Sequence, residues 1–165
     1  SVIVTTMEGT RPLLIEVQAL VSPSASVGMP RRMASGIDPN RMSLLVAILE
    51  KRLGLHLQAD DIFVNIAGGL KVTEPAIDLG VAIALAGSFR NRSIDATTVV
   101  IGEVGLTGEV RSVGQLEARL HEASKLGFTR CLIPQVGTSA KIKPPAGLTL
   151  VPIQTLEQAF ETVFE

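Results

Sequence analysis

The chain has no tryptophan and no tyrosine, and only one cysteine, two histidines and five phenylalanines in 165 residues. The interior must therefore be built from Leu, Ile, Val and Ala, and any base-stacking platform would have to use a phenylalanine. Cys131 alone excludes an internal disulfide and a zinc site made of several cysteines, and it fits a reducing cytoplasm. No apolar run reaches the ~20 residues of a membrane span, and no signal peptide is present, so neither membrane nor export is expected. Neither charge sign dominates: 15 Lys and Arg face 16 Asp and Glu, giving a net charge of −1 and a pI near 6.1. Any basic surface must be local. The GxxxxGK[ST] pattern is missing, so no P-loop and no ATP site is expected. His56 and His121 lack metal-ligand spacing, and His121 and Glu122, being adjacent on a helix, point apart. Both histidines are expected at the surface, and no metal site is expected.

What is present reads as a folded domain: 46% hydrophobic and 19% charged residues exclude disorder, and the length suits one domain with a sizeable core. "VIVTT" and "PLLIEVQALV" read as strands around the turn "MEGTRP", and "RRMASGI" as a third strand. In "DPNRMSLLVAILEKRLG" Asp38 caps a helix, Pro39 takes its first position and Gly54 ends it, with Met42, Leu45, Val46, Leu49 and Leu53 as the apolar stripe. "DIFVNIAG" reads as a buried strand and residues 76–87 as an almost wholly apolar helix. "TTVVIGEV" reads as one strand and "GLTGEVRSV" as a tight turn. "GQLEARLHEASKLG" is an amphipathic helix with Leu116, Leu120, Ala123 and Leu126 on its apolar side. Strand "RCLIP", strand "LTLVPI" and helix "TLEQAFETVF" close the chain, and the mixed order predicts an α/β (α+β) domain spanning 1–165. Because it begins at Ser1 and enters a strand at once, the chain is expected to be a fragment of something longer.

The segments "GGLKVTEPAIDLGVAIALAGS" and "VVIGEVGLTGEVRSVGQLEARLHEASKLGFTRCLIP" resemble the proteolytic domain of Lon proteases. In that family a serine nucleophile follows the proline of "DGPSAG", and a lysine in "GGLKEKL" is the general base. The resemblance places the serine on Ala76, after Pro75, and the lysine on Arg119 of "GQLEARL". A methyl group cannot attack a carbonyl, and a guanidinium stays protonated and cannot accept the proton. The resemblance thus implies a degenerate, non-proteolytic site with no catalytic residues. One alternative stands beside it, Thr73 with Lys71 as nucleophile and base of a residual Ser/Thr–Lys peptidase; Ser88 sits at the wrong end of the helix.

"EGTRPLLIEVQALV", "GIDPNRMSLLVAILEKRLGL" and "DIFVNIAGGLKVTEPAIDLGVAIALAGS" further resemble the C-terminal domain of the bacterial RadA (Sms) family over essentially the whole chain. The resemblance implies a ribosomal-protein-S5-like (domain 2) fold shared with the Lon proteolytic domain, a homo-hexameric ring, and work in DNA recombination and repair by branch migration alongside RecA. It also implies that ATP, Mg and zinc belong to N-terminal modules outside this chain. "PAIDLGVAIAL" looks like ComM and magnesium-chelatase-like proteins too, the runner-up relation. As candidates for contacting single- or double-stranded DNA, the sequence offers Arg31, Arg32, Arg41, Lys51, Arg52, Arg90 and Arg92, with Lys141 and Lys143 of "KIK" as further cations. A solvated surface is the plain alternative for each. Without Trp or Tyr, such binding is expected to be electrostatic and nonspecific.

Overall fold

A computed structural model describes residues 1–25, 28–135 and 142–164. Among the described residues nine strands and four α-helices follow in the order β1 (Val2–Glu8), β2 (Arg11–Pro23), β3 (Arg32–Ser35), α1 (Pro39–Leu53), β4 (Asp60–Ile66), α2 (Asp78–Arg90), β5 (Thr98–Val100), β6 (Glu103–Val104), β7 (Val110–Arg111), α3 (Leu116–Lys125), β8 (Arg130–Pro134), β9 (Thr149–Ile153) and α4 (Leu156–Val163). Seven strands form one sheet in the order β3-β4-β2-β1-β5-β8-β9, and β6 and β7 form a separate hairpin. The β1–β2 and β2–β4 pairs are antiparallel, whereas β1–β5, β5–β8, β8–β9 and β3–β4 are parallel. The result is a mixed α/β architecture dominated by parallel pairings.

Alternation along the strands sorts side chains onto two faces. Val2, Val4, Val17, Ile62, Val64 and Val100 join α1, α2 and α4 in the larger core, while Val99, Ile101, Cys131 and Ile133 pack with Leu116, Leu120 and Ala123 of α3 on the other. Helix α2 is buried on all sides, from Asp78 to Gly87. A helix so apolar all round must lie inside the protein. Its Gly80 is where it crosses β1, because a Cβ there would collide with Val4. Helix α1 follows the expected punctuation: the Asp38 carboxylate accepts a hydrogen bond from the Asn40 N–H at 2.9 Å, and Gly54 ends the helix with φ +67°. The glycine pair after β4 makes the expected turn, with Gly68 and Gly69 at φ +85° and +73°.

Two expectations need correction. "TTVVIGEV" is not one strand: pairing with β8 stops at Val100, and the backbone turns at Gly102, whose N–H donates to the Ala76 carbonyl (3.0 Å) and whose carbonyl accepts from the Leu79 N–H (3.0 Å). Leu126 does not complete the α3 stripe. It follows the end of the helix and is 56% exposed, while Arg119 occupies the buried position one turn after Leu116. Among the described residues no helix is long and apolar enough to cross a membrane. His56 and His121 are exposed, as expected, and Cys131 is fully buried, which pushes its thiol pKa up.

Candidate functional site: the Ala76 turn and the basic pole

Pro75, Ala76 and Ile77 form a single 3-10 turn that leads into α2. Ala76 is 2% exposed, and its carbonyl is held by Gly102. Two carboxylates flank it, Glu74 before and Asp78 after, and each receives an arginine from a distant element. The Arg119 guanidinium reaches across from α3 and grips Glu74 with two parallel bonds, Nη1 to Oε1 and Nη2 to Oε2, both 2.7 Å. Its Nε donates to the Gly114 carbonyl at 2.8 Å, and Nη1 also lies 3.3 Å from Thr5 Oγ1. Arg119 is 1% exposed, so this is a buried cation with most of its donors satisfied. Burial raises the Glu74 carboxyl, but Arg119, the Met7 N–H and the Thr6 hydroxyl together bring it below its ordinary value.

The second pair closes the other side. Arg41 Nε donates to Asp78 Oδ1 at 2.9 Å, its Nη2 contacts Oδ2, and the Val104 N–H donates to Oδ2 at 3.1 Å. Asp78 is 1% exposed, and burial holds its carboxyl above its ordinary value even with Arg41 against it. One carboxylate thereby ties together the first turns of α1 and α2 and the β6 strand. A cavity of about 190 Å³ lies beside this turn, walled by Ile37, Leu45, Val72 and Val81 and edged by Asp38 and Thr73. Thr73 and Lys71 are exposed, and Ser88 lies in the last turn of α2, its hydroxyl accepting from the Val21 N–H at 2.8 Å.

The cationic candidates divide in two. Arg41 belongs to the Ala76 end of the molecule, its guanidinium committed to Asp78. The other six lie at the opposite end, where α1 and α2, running side by side, both terminate. Lys51 and Arg52 close α1 and Arg90 closes α2. Arg52 and Arg90 line one open groove of about 610 Å³ with Glu157 and Glu161, and Arg90 sits over the Phe160 ring at 5.9 Å. Arg92 lines the adjoining groove with Ser88. Arg32 Nη2 donates to the carbonyl of Leu57, in the loop that leaves α1, and the Arg31 carbonyl accepts from Ile62 at the start of β4. Charges at helix C-termini also offset the helix dipole, which gives Lys51, Arg52 and Arg90 a structural reason to be there. Lys143 is exposed beside His121, away from this pole, and Lys141 lies outside the described residues.

Reading the sequence missed Glu74 and Asp78. A signal existed for Asp78, since one carboxylate in the first turn of an otherwise apolar buried helix demands a cation. Arg119 gave another, being a charge at helical spacing within an apolar stripe. Among the described residues no group of three or more His, Cys, Asp or Glu could hold a metal.

Residues 25–137 match the family model described as subunit ChlI of Mg-chelatase. A DNA repair protein RadA of Halalkalibacterium halodurans is 52% identical over 161 residues, covering 98% of this chain and 35% of that protein. The Bacillus subtilis protein of the same name is 51% identical over 162 residues, with 98% and 35% coverage, and that of Synechocystis sp. is 51% identical over 146 residues, with 88% and 28%. The match is to the C-terminal domain of these proteins, and the chain spans about a third of their length or less (35%, 35% and 28%).

Proposed function

The chain belongs to the family described as subunit ChlI of Mg-chelatase, and from that premise and its likeness to RadA repair proteins we propose that it is the non-proteolytic, Lon-like domain of a RadA-type DNA recombination and repair ATPase. In this reading it is a hexameric scaffold and an auxiliary nonspecific DNA-binding surface, working in the cytoplasm. ATP, Mg and zinc would serve modules outside it, and RecA would be met through the longer protein. The observation that carries the DNA role is the gathering of Arg31, Arg32, Lys51, Arg52, Arg90 and Arg92 at one pole, although they come from three separate stretches of sequence. The acids Asp61, Glu157 and Glu161 share that pole, so affinity per subunit is weak and a ring is needed to multiply it.

The non-proteolytic reading rests on Ala76 and Arg119. The methyl at position 76 offers no nucleophile, and the Arg119 guanidinium is held by Glu74. A salt series tests the DNA role. Replacing Arg31 and Arg32, or Arg90 and Arg92, by Ala is expected to weaken DNA binding and flatten its salt dependence by about one unit of log–log slope per lost phosphate contact. Sedimentation run in parallel is expected to show assembly unchanged. If neither pair alters affinity or slope, the DNA role belongs elsewhere in the longer protein.

A further inference from the structure

Helix α3 covers only part of its face of the main sheet. Beyond β1 and the first half of β2, this face of β2, β4 and β3 is open, with Gln18, Leu20, Met33, Ser35 and Asn65 exposed on it. Phe63 lies at the middle of this open area, paired across the strands with Leu20 on β2 and Met33 on β3. Leu20 is 55% and Met33 59% exposed, and Phe63 between them is half-buried. Of the five phenylalanines, Phe89, Phe128, Phe160 and Phe164 belong to or pack against the two cores, and Phe63 belongs to neither. The next row along the face is polar: Asn65 Nδ2 donates to Gln18 Oε1 at 3.1 Å, and Ser35 pairs with Asn65 across β3. The row on the other side holds Arg31, one position before β3 and at the border of the basic pole. No ion pair among the described residues holds its guanidinium.

We propose that Phe63 is a stacking platform for an unpaired base, so that single-stranded DNA crosses this open sheet face with its phosphates led in by Arg31 and the basic pole. This deepens the DNA-binding reading above and rests on it. An aromatic ring between apolar neighbours presents a flat surface that any base can cover, the amide row supplies donors and acceptors to a base edge, and Arg31 meets the phosphate. The two acids on the face do not defeat this. Asp61 Oδ1 is taken by the Arg31 N–H at 2.7 Å, and Glu16, half-buried, lies at the far side of the polar row against β1. A protein partner covering the row would have to bury Arg31 and the amides as well.

The absence of Trp and Tyr makes the test direct. In Phe63→Trp the introduced indole is the chain's single strong intrinsic fluorophore, and a stacked base quenches it. Titration with oligothymidylate at low salt is expected to quench this emission saturably. Phe63→Leu, which keeps the apolar area and is checked for folding by circular dichroism, is expected to weaken oligothymidylate binding roughly 5- to 150-fold with its salt slope unchanged. Unaltered emission at saturating DNA, or wild-type affinity in Phe63→Leu, would overturn the proposal while leaving the arginine pole standing. Emission that shifts instead with protein concentration would assign the face to contacts between copies of the chain. Failure of the wild-type chain to bind DNA at all would remove the DNA reading and this one with it.

Discussion

Removing one partner of the Glu74–Arg119 pair should expose an asymmetry that the burial of the two residues dictates. Arg119 has a side chain 2% exposed, against 27% for Glu74. In Glu74→Ala the guanidinium stays where it is, enclosed, with only the Gly114 carbonyl and Thr5 left to accept its five donors. Breaking a fully buried pair from one side costs about 3–5 kcal/mol, and the partial exposure of Glu74 lowers the expectation here to about 2–4 kcal/mol. In Arg119→Met the stranded carboxylate can turn to water and keep the Met7 N–H, so the loss should be about 1–2 kcal/mol. The double variant should lose about 1–2 kcal/mol less than the sum of the two.

Urea unfolding of the four proteins measures this. With a slope of about 2 kcal/mol per M, Glu74→Ala should lower the midpoint by about 1–2 M. Equal losses from the two single variants, or a double variant equal to their sum, would refute the reasoning. The sign with pH follows from the same pair. The folded-state pKa of Glu74 lies below its ordinary 4.5, so its stabilisation is full above that value and is lost as pH falls through the unfolded and then the folded pKa. Asp78 acts oppositely: its pKa is raised by burial, so holding it ionised costs stability near neutrality and that cost is relieved on acidification. Glu74→Gln should therefore flatten the fall in stability below pH 4.5.

Introducing the two residue types of the Lon dyad should not confer peptide hydrolysis. In Ala76→Ser combined with Arg119→Lys, the new lysine faces Glu74, which holds it protonated, and casein turnover should stay at the level of buffer; measurable turnover would contradict this. Gly80→Ala should cost about 1–3 kcal/mol in thermal unfolding, because the added methyl meets Val4 where α2 crosses β1. A hexamer is expected in sedimentation at high concentration, and a strict monomer at every concentration, in this chain and in the longer protein, would contradict it.

The elements were legible wherever one local signal sufficed. Asp38, Pro39 and Gly54 bound α1 by short-range chemistry, and the glycines after β4 turn the chain whatever surrounds them. Boundaries set by tertiary contact were not. Nothing in "TTVVIGEV" says that Gly102 will leave the sheet to hydrogen-bond Ala76 and Leu79, since those partners lie more than twenty residues away. The ion pairs share that difficulty. Arg41 reads as an exposed charge in a first helical turn until α2 is laid beside α1 and Asp78 comes within reach. Proximity across 37 residues is a property of the fold, and a single sequence supplies only its demand, a carboxylate that cannot be buried alone.

On the proposed non-proteolytic reading, the Ala76 turn keeps its shape without the chemistry. A lysine base must lose its proton readily, which requires an environment poor in compensating carboxylate. Glu74 creates the reverse condition, and an arginine, planar and able to pair with both carboxylate oxygens, suits it better than a lysine would. The same two bonds bridge α3 to the segment entering α2, two elements that otherwise pack on opposite faces of the sheet. Asp78 bridges α1, α2 and β6 in the same way. Together the two ion pairs hold four elements in register. The Arg41–Asp78 pair joins the first turns of α1 and α2, whose far ends carry Lys51, Arg52 and Arg90. Loosening the Glu74–Arg119 pair should therefore weaken the DNA binding proposed for the opposite pole only to the extent that it unfolds the protein. An affinity loss in Glu74→Gln at temperatures where it remains fully folded would show that the turn contacts DNA itself.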